Sequence, residues 1–487
     1  MHGDFSRLTF RPGKGYSAVL TQQGRVQLDA DINEQAAIQV YLERRLAADL
    51  IGRHAGPSGA PAAAATTPIT AFAIAYDSNV SPAGLTIGAG RYYVDGIMTS
   101  ATKPVPLNPV PSGSSGSSGS GTQAGDWTYW TQPDAYLDQT NEADRLPAQF
   151  PFLIYLMVYE RFITAVEDPD ILETALGATL PDTCGRAKVI WQVLPIRAGD
   201  GFTPPTEINA PNLRAAFDTW ADGRNEPKAW LAAQTAPPQA QDDPCIIAPS
   251  ARYRGPENQL YRVEVHRAGT AGTDDQNSAT FKWSRDNGSV IFPVSTIEGA
   301  WVTLAALGRD DKMDLNVQDW VEVVDDAYLA RQARGTSDPL LQVAEVDVAG
   351  RRVKLSAEPD PAVGRIAARH PYLRRWDQQA PTGSGAPQLW DGALQITEGA
   401  WVDLEDGVQV WFKSGGTYRA GDYWLIPART LTGDVEWPRD ANQTPLLSPP
   451  AGVTYHYAPL AWIREEFAGF GPLDLREQFP TLAVPVP

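Results

Sequence analysis

Residues Leu260–Val290 read LYRVEVHRAGTAGTDDQNSATFKWSRDNGSV. Tyr261, Val263 and Val265 alternate with Arg262, Glu264 and His266, the period-two pattern of a strand with one apolar face. A polar stretch, Ala268 to Ser278, leads to Phe281 and Trp283 in a second strand, so the pair reads as a hairpin with a long tip. Ser284-Arg285-Asp286-Asn287-Gly288 then turns the chain into Val290 to Val294. The phase predicts that Phe281 and Trp283 pack in a core against Tyr261, Val263 and Val265. The fold class is therefore mainly β with minor α, built of several small β-sandwich or barrel modules.

Glu298-Gly299-Ala300-Trp301-Val302 recurs 100 residues later as Glu398-Gly399-Ala400-Trp401-Val402. Each copy precedes an Asp-aromatic strand, Asp319 to Val323 and Asp422 to Ile426. Each then meets an apolar strand, Leu341 to Val346 and Leu460 to Ile463. This is either a duplication of a β module, at 251–370 and 388–466, or a shared turn preference.

Upstream, Phe72 to Ile97, Asp126 to Trp130, Phe150 to Glu160 and Lys188 to Ile196 read as further strands, giving a β domain over 66–200. Pro111–Gly121 contains only Pro, Ser and Gly and reads as a flexible surface loop. Residues 201–250 read as a short helical insertion and linker, with the helical pattern of Leu213, Phe217 and Trp220 running from Asn209 to Ala232. Residues 467–487 form a C-terminal tail.

The N-terminal segment, 1–55, differs. Val26 and Leu28 alternate with polar neighbours as a short strand. Asp31 is a helix N-cap with Glu34 three residues on. Ile38, Leu42, Leu46 and Leu50 follow at four-residue steps, with Tyr41 beside them. Such a segment is too small to bury its apolar stripe alone. It reads as a strand–helix docking element whose candidate assembly interface is Ile38, Tyr41, Leu42, Leu46 and Leu50, separable from a β-body that folds without it.

The chain has 487 residues, with 43% hydrophobic and 20% charged, which suits about three soluble globular domains. Lys plus Arg is 40 against 58 Asp plus Glu, a net charge of −18 that argues against nucleic acid or an anionic lipid surface as partner. No run approaches a membrane span, and the N-terminus lacks a signal peptide's apolar core. Cytoplasmic synthesis and assembly are expected.

The chemistry of a site is hard to find. The five histidines are dispersed, and no HExxH, GxGxxG, GxxxxGK[ST] or GxSxG pattern occurs. Cys184 and Cys245 are expected to be inert buried thiols. Asp403, Glu405 and Asp406 lack the spacing of a calcium loop and read as a solvated turn. No catalytic residue, metal site or cofactor is assigned, and the chain is expected not to be an enzyme. Of the fifteen tryptophans, Trp191, Trp283, Trp301, Trp320, Trp401 and Trp424 sit inside strand patterns, where core packing is the ordinary fate. Trp127, Trp130, Trp376, Trp390 and Trp437 flank loops and are the candidates for an exposed aromatic binding surface.

Four stretches carry a resemblance: QQGRVQLDADINEQ at Gln22–Gln35, ERFITAVEDPDILETALG with RAKVIWQV within Glu160–Val193, LYRVEVH with FKWSRDNGSV, and TYRAGDYWLIPAR at Thr417–Arg429. Together they resemble an uncharacterised bacterial family encoded beside phage-tail-like baseplate genes in contractile injection system clusters. The first stretch also looks like the start of some phage baseplate or fibre proteins. The resemblance implies a structural component at the baseplate or its attached fibres, homo-oligomeric, with other tail and baseplate proteins as partners and release within a particle. The alternative is a carbohydrate-binding or carbohydrate-active β-protein with a surface glycan as partner.

Overall fold

In the computed structural model the quoted hairpin lies at the middle of a six-stranded sheet. The structure describes residues 1–58, 71–77, 81–103, 126–177, 182–236, 252–272, 278–308, 312–379, 387–464 and 471–480. The Ser/Gly loop at 111–121 and Cys245 lie outside them. The fold is mainly β with three α-helices among the described residues.

Strand Gln259–Arg267 pairs antiparallel with Thr280–Ser284 on one side and with Tyr423–Arg429 on the other. Val263 stands opposite Trp283, and Val265 opposite Phe281. The sheet continues outward through Ala393–Gln395 and Leu389–Trp390, and at its other edge through Asp434–Val435. A three-stranded sheet of Trp401–Asp403, Val408–Phe412 and Leu231–Thr235 closes over it. The shared core holds Tyr261, Val263, Val265, Phe281, Trp283 and Trp424, as the alternation requires.

Ile291–Glu298 opens a second unit. Six antiparallel strands close a barrel in the order Ile291–Glu298, Trp301–Leu304, Arg352–Leu355, Leu341–Asp347, Trp320–Val324, Tyr372–Trp376. Its core is mostly aliphatic, centred on Val302, Val321, Val353 and Leu373.

The third unit combines both ends of the chain. Strand Phe152–Ile163 is flanked by Arg186–Pro195 and by His456–Ile463. One face packs on the small sheets of residues 74–128, and helix Ala210–Asn225 covers the other with Leu213, Phe217 and Trp220. His54–Pro57 pairs with Arg91–Val94 and, in parallel, with Gln478–Phe479.

Several expectations are corrected. The division between 251–370 and 388–466 runs through the sandwich, because the quoted hairpin pairs with 393–395 and 423–429 rather than with the barrel. The two EGAWV copies sit in different arrangements: Trp301 pairs across the strand with Lys354, Trp401 with Trp411. The helix within 201–250 stops at Asn225, since Pro227 disfavours the helical backbone at Glu226, and Leu231–Thr235 is a sandwich strand. The segment 467–487 supplies paired strands at 473–474 and 478–479. Val26 and Leu28 form no strand: 84% and 50% exposed, they have no ladder partner. Nor is 1–55 separable, because His54–Pro57 is built into a sheet and Met1 to Gly3 enter the body.

Candidate functional site

The motif Gln22–Gln35 organises the N-terminal arm. Helix Asp29–Ile51 starts two residues before the expected cap, and Asp31 accepts from the Leu28 N–H at 3.2 Å. Asp29 accepts from the N–H and hydroxyl of Ser6 at 2.9 and 2.6 Å. Glu34 accepts from the Thr9 hydroxyl, and Gln35 from the Val19 N–H at 2.6 Å. The polar residues of the motif thus lash residues 6–19 along the helix. Arg44 fastens the helix to the body by a two-pronged contact with Glu160, at 2.6 and 2.9 Å. At Gly96, φ +79°, a Cβ would collide with the Arg44 carbonyl, so only glycine lets the hairpin turn come this close.

The five residues of the expected interface do not share one environment. Ile38 is fully buried in the chain's own body. Tyr41 is half-buried against Phe10, 5.6 Å between ring centres, with Arg45 over its ring. Leu42, Leu46 and Leu50 are 48%, 61% and 69% exposed. Each four-residue step turns about 40° past a full turn. The stripe therefore starts on the body at Ile38 and rotates into solvent by Leu50.

The five loop-flanking tryptophans form no common surface. Trp376 is buried beneath the barrel, 1% exposed. Trp127 and Trp130 pack on the core of the third unit, and Trp437 on that of the sandwich. Trp390 is half-buried at a sheet edge. They flank loops in sequence but fold over separate cores. Conversely, Trp401, expected in a core, is 39% exposed.

The second face of the central hairpin is also buried. Arg262, Glu264 and Lys282 meet Glu322 and Arg374 from the barrel, and none of the five is more than 5% exposed. Glu322 accepts from Lys282 Nζ at 2.7 Å, Tyr328 Oη at 2.8 Å and Trp376 Nε1 at 3.0 Å. Glu264 accepts from Arg262 Nε at 2.6 Å and contacts His2 Nε2 at 3.0 Å. Burial alone would raise both carboxyls. Arg262 and Lys282 instead hold Glu264 well below the usual range, and Lys282 and Arg374 lower Glu322. Asn287 donates to the Gly3 carbonyl at 2.8 Å, which ties the arm into this centre. A cavity of about 380 Å³ borders it, with Arg44 and Glu160 among its walls. Nothing in strand alternation signals that a polar face will be covered by another module.

The carboxylates of 403–407 turn to different partners: Asp403 accepts from Gln409 at 2.7 Å, and Glu405 from Arg285 at 2.8 Å and Tyr261 at 3.1 Å. Burial, with Asp377 nearby and Arg285 opposing, pushes Glu405 up to about 7. A carboxyl raised in the folded state above its unfolded value of about 4.3 gives stability that is full below that value. That stability is lost as pH climbs toward 7. Glu405→Gln is therefore expected to flatten the stability difference between about pH 5 and about pH 8 in urea titrations. Identical pH slopes for both proteins would refute this. Cys184 is exposed. Among the described residues, no three His, Cys, Asp or Glu side chains are placed to hold a metal ion, and no helix is long and apolar enough to cross a membrane.

The chain belongs to a family of unknown function, DUF6519, whose profile matches residues 1–202 and 206–466. No curated protein and no solved structure matches it.

Proposed function

We propose that this chain is a structural component of a phage-tail-like contractile particle, at the baseplate or its fibres, and that it joins its neighbours, further copies included, through the N-terminal arm and helix. One observation supports the assembly surface. Among the described residues, twenty large apolar side chains are exposed, and ten of them lie between Leu8 and Leu50. Scattered exposed apolar residues are ordinary, but a concentration in one lashed-down arm marks a surface that a partner covers. The contractile particle itself rests on the resemblance of the four sequence stretches. In this reading the chain is made and assembled in the cytoplasm and leaves within the particle.

The test is a triple variant, Leu42→Asp, Leu46→Asp and Leu50→Asp, in the full chain. These side chains leave the helix for solvent, so circular dichroism and the urea midpoint are expected to stay unchanged. Light scattering should show loss of the oligomer, and the variant should stay out of particles pelleted from the native host. Normal oligomer and normal incorporation would sink the proposal.

A further inference from the structure

The small sandwich sheet has an outer face that the assembly reading does not use. Val402, Val408, Val410, Phe412, Leu231 and Ala233 point into the core. Alternation leaves Trp401, Asp403, Gln409, Trp411 and Gln234 on the other side, with Ala232 among them but buried. The register sets these in rows. Trp401 stands opposite Trp411, which stands opposite Ala232. Asp403 stands opposite Gln409, which stands opposite Gln234. The polar row is hydrogen-bonded across the strands: Gln234 Nε2 donates to Gln409 Oε1 at 3.1 Å, and Gln409 Nε2 to Asp403 Oδ1 at 2.7 Å. Next to the aromatic row, Lys413 lies over the ring of half-buried Trp230.

We propose that this face is a platform for a neutral oligosaccharide. An aromatic row beside a row of oriented amides and a carboxylate matches a sugar chain, whose C–H faces stack on rings and whose hydroxyls need donors and acceptors at one edge. One Asp and one Lys balance in charge, so the face selects no anion. Three strands about 4.8 Å apart and two rows about 7 Å apart give an area on the order of 200 Å². A stable protein partner needs about 800 Å² on each side. The face is therefore too small for a second copy and suits a few sugar rings. It shares no residue with the arm and helix.

The experiment uses the full chain on a printed panel of bacterial and host glycans, followed by calorimetric titration of the soluble oligosaccharide that binds best. Trp401→Ala is expected to weaken binding about tenfold. Because Trp401 is exposed, its urea midpoint should stay at that of the unaltered chain. Asp403→Ala should weaken binding as well, and the Leu42, Leu46 and Leu50 triple variant should bind normally. No retained glycan, or binding indifferent to both Trp401→Ala and Asp403→Ala, would overturn the proposal. So would a dimer that Trp401→Ala dissolves, since that result assigns the face to a second copy.

Discussion

Lys282→Ala is expected to destabilise the chain by about 3–5 kcal/mol, the loss typical when one partner of a buried ion pair is removed. Lys282 is fully buried between two carboxylates, 2.7 Å from Glu322 and 3.4 Å from Glu264, with its ammonium 4.3 Å from the centre of the Trp376 ring. Removing it leaves two buried negative charges facing each other across the seam between sandwich and barrel. Their depressed carboxyls supply stability that is present above the ordinary Glu value and fades as pH falls, so the variant's deficit should be largest near neutral pH and shrink on acidification. Urea titration followed by tryptophan fluorescence measures the effect. A loss below about 1 kcal/mol would show that Arg262 and Arg374 neutralise the centre without it. Lys282→Met combined with Glu322→Gln removes one charge of each sign and should recover part of the loss.

Trp283→Ala should remove about 3–5 kcal/mol, the range for deleting a large aromatic side chain from a packed core. Its indole is 3% exposed, opposite Val263, and 6.0 Å from the ring of Tyr261. Tyr261 in turn donates to Glu405, so the void would loosen the same corner of the sandwich. Trp283→Phe keeps a ring in the site and should lose less. If the alanine variant unfolds at the same urea concentration as the unaltered chain, the packing described for this strand is wrong.

The central hairpin was legible because alternation of Tyr261, Val263 and Val265 is a local signal, and the strands it predicts are those observed. What was not legible lies in contacts between distant segments. Arg262, Glu264 and Lys282 have the pattern of a solvated strand face, and only the arrival of Glu322 and Arg374 from the barrel makes them interior. Leu231–Thr235 is five residues of small and polar character and declares itself a strand only by pairing with Val408–Phe412. The helix stripe misled in the opposite sense: Ile38 and Leu50 share a four-residue rhythm, yet the rotation of the helix puts one in the body and the other in water. The exposed Trp401 and its partner Trp411 were hidden because an aromatic residue in a short strand gives no sign of which face it takes.

Strand Phe152–Ile163 waits for a partner made some 300 residues later, since His456–Ile463 completes its sheet. During synthesis, the sandwich strands up to Asp434–Val435 and the whole barrel emerge before that partner does. The central modules are thus able to condense on the ribosome while the unit containing the first sheet stays open, with an apolar edge unpaired. Closing so wide a loop makes the last step slow, as non-local pairing generally is. A chain halted short of residue 456 should accumulate with a folded middle and an adhesive beginning, which makes premature termination more hazardous here than in a protein whose domains close in the order they are made.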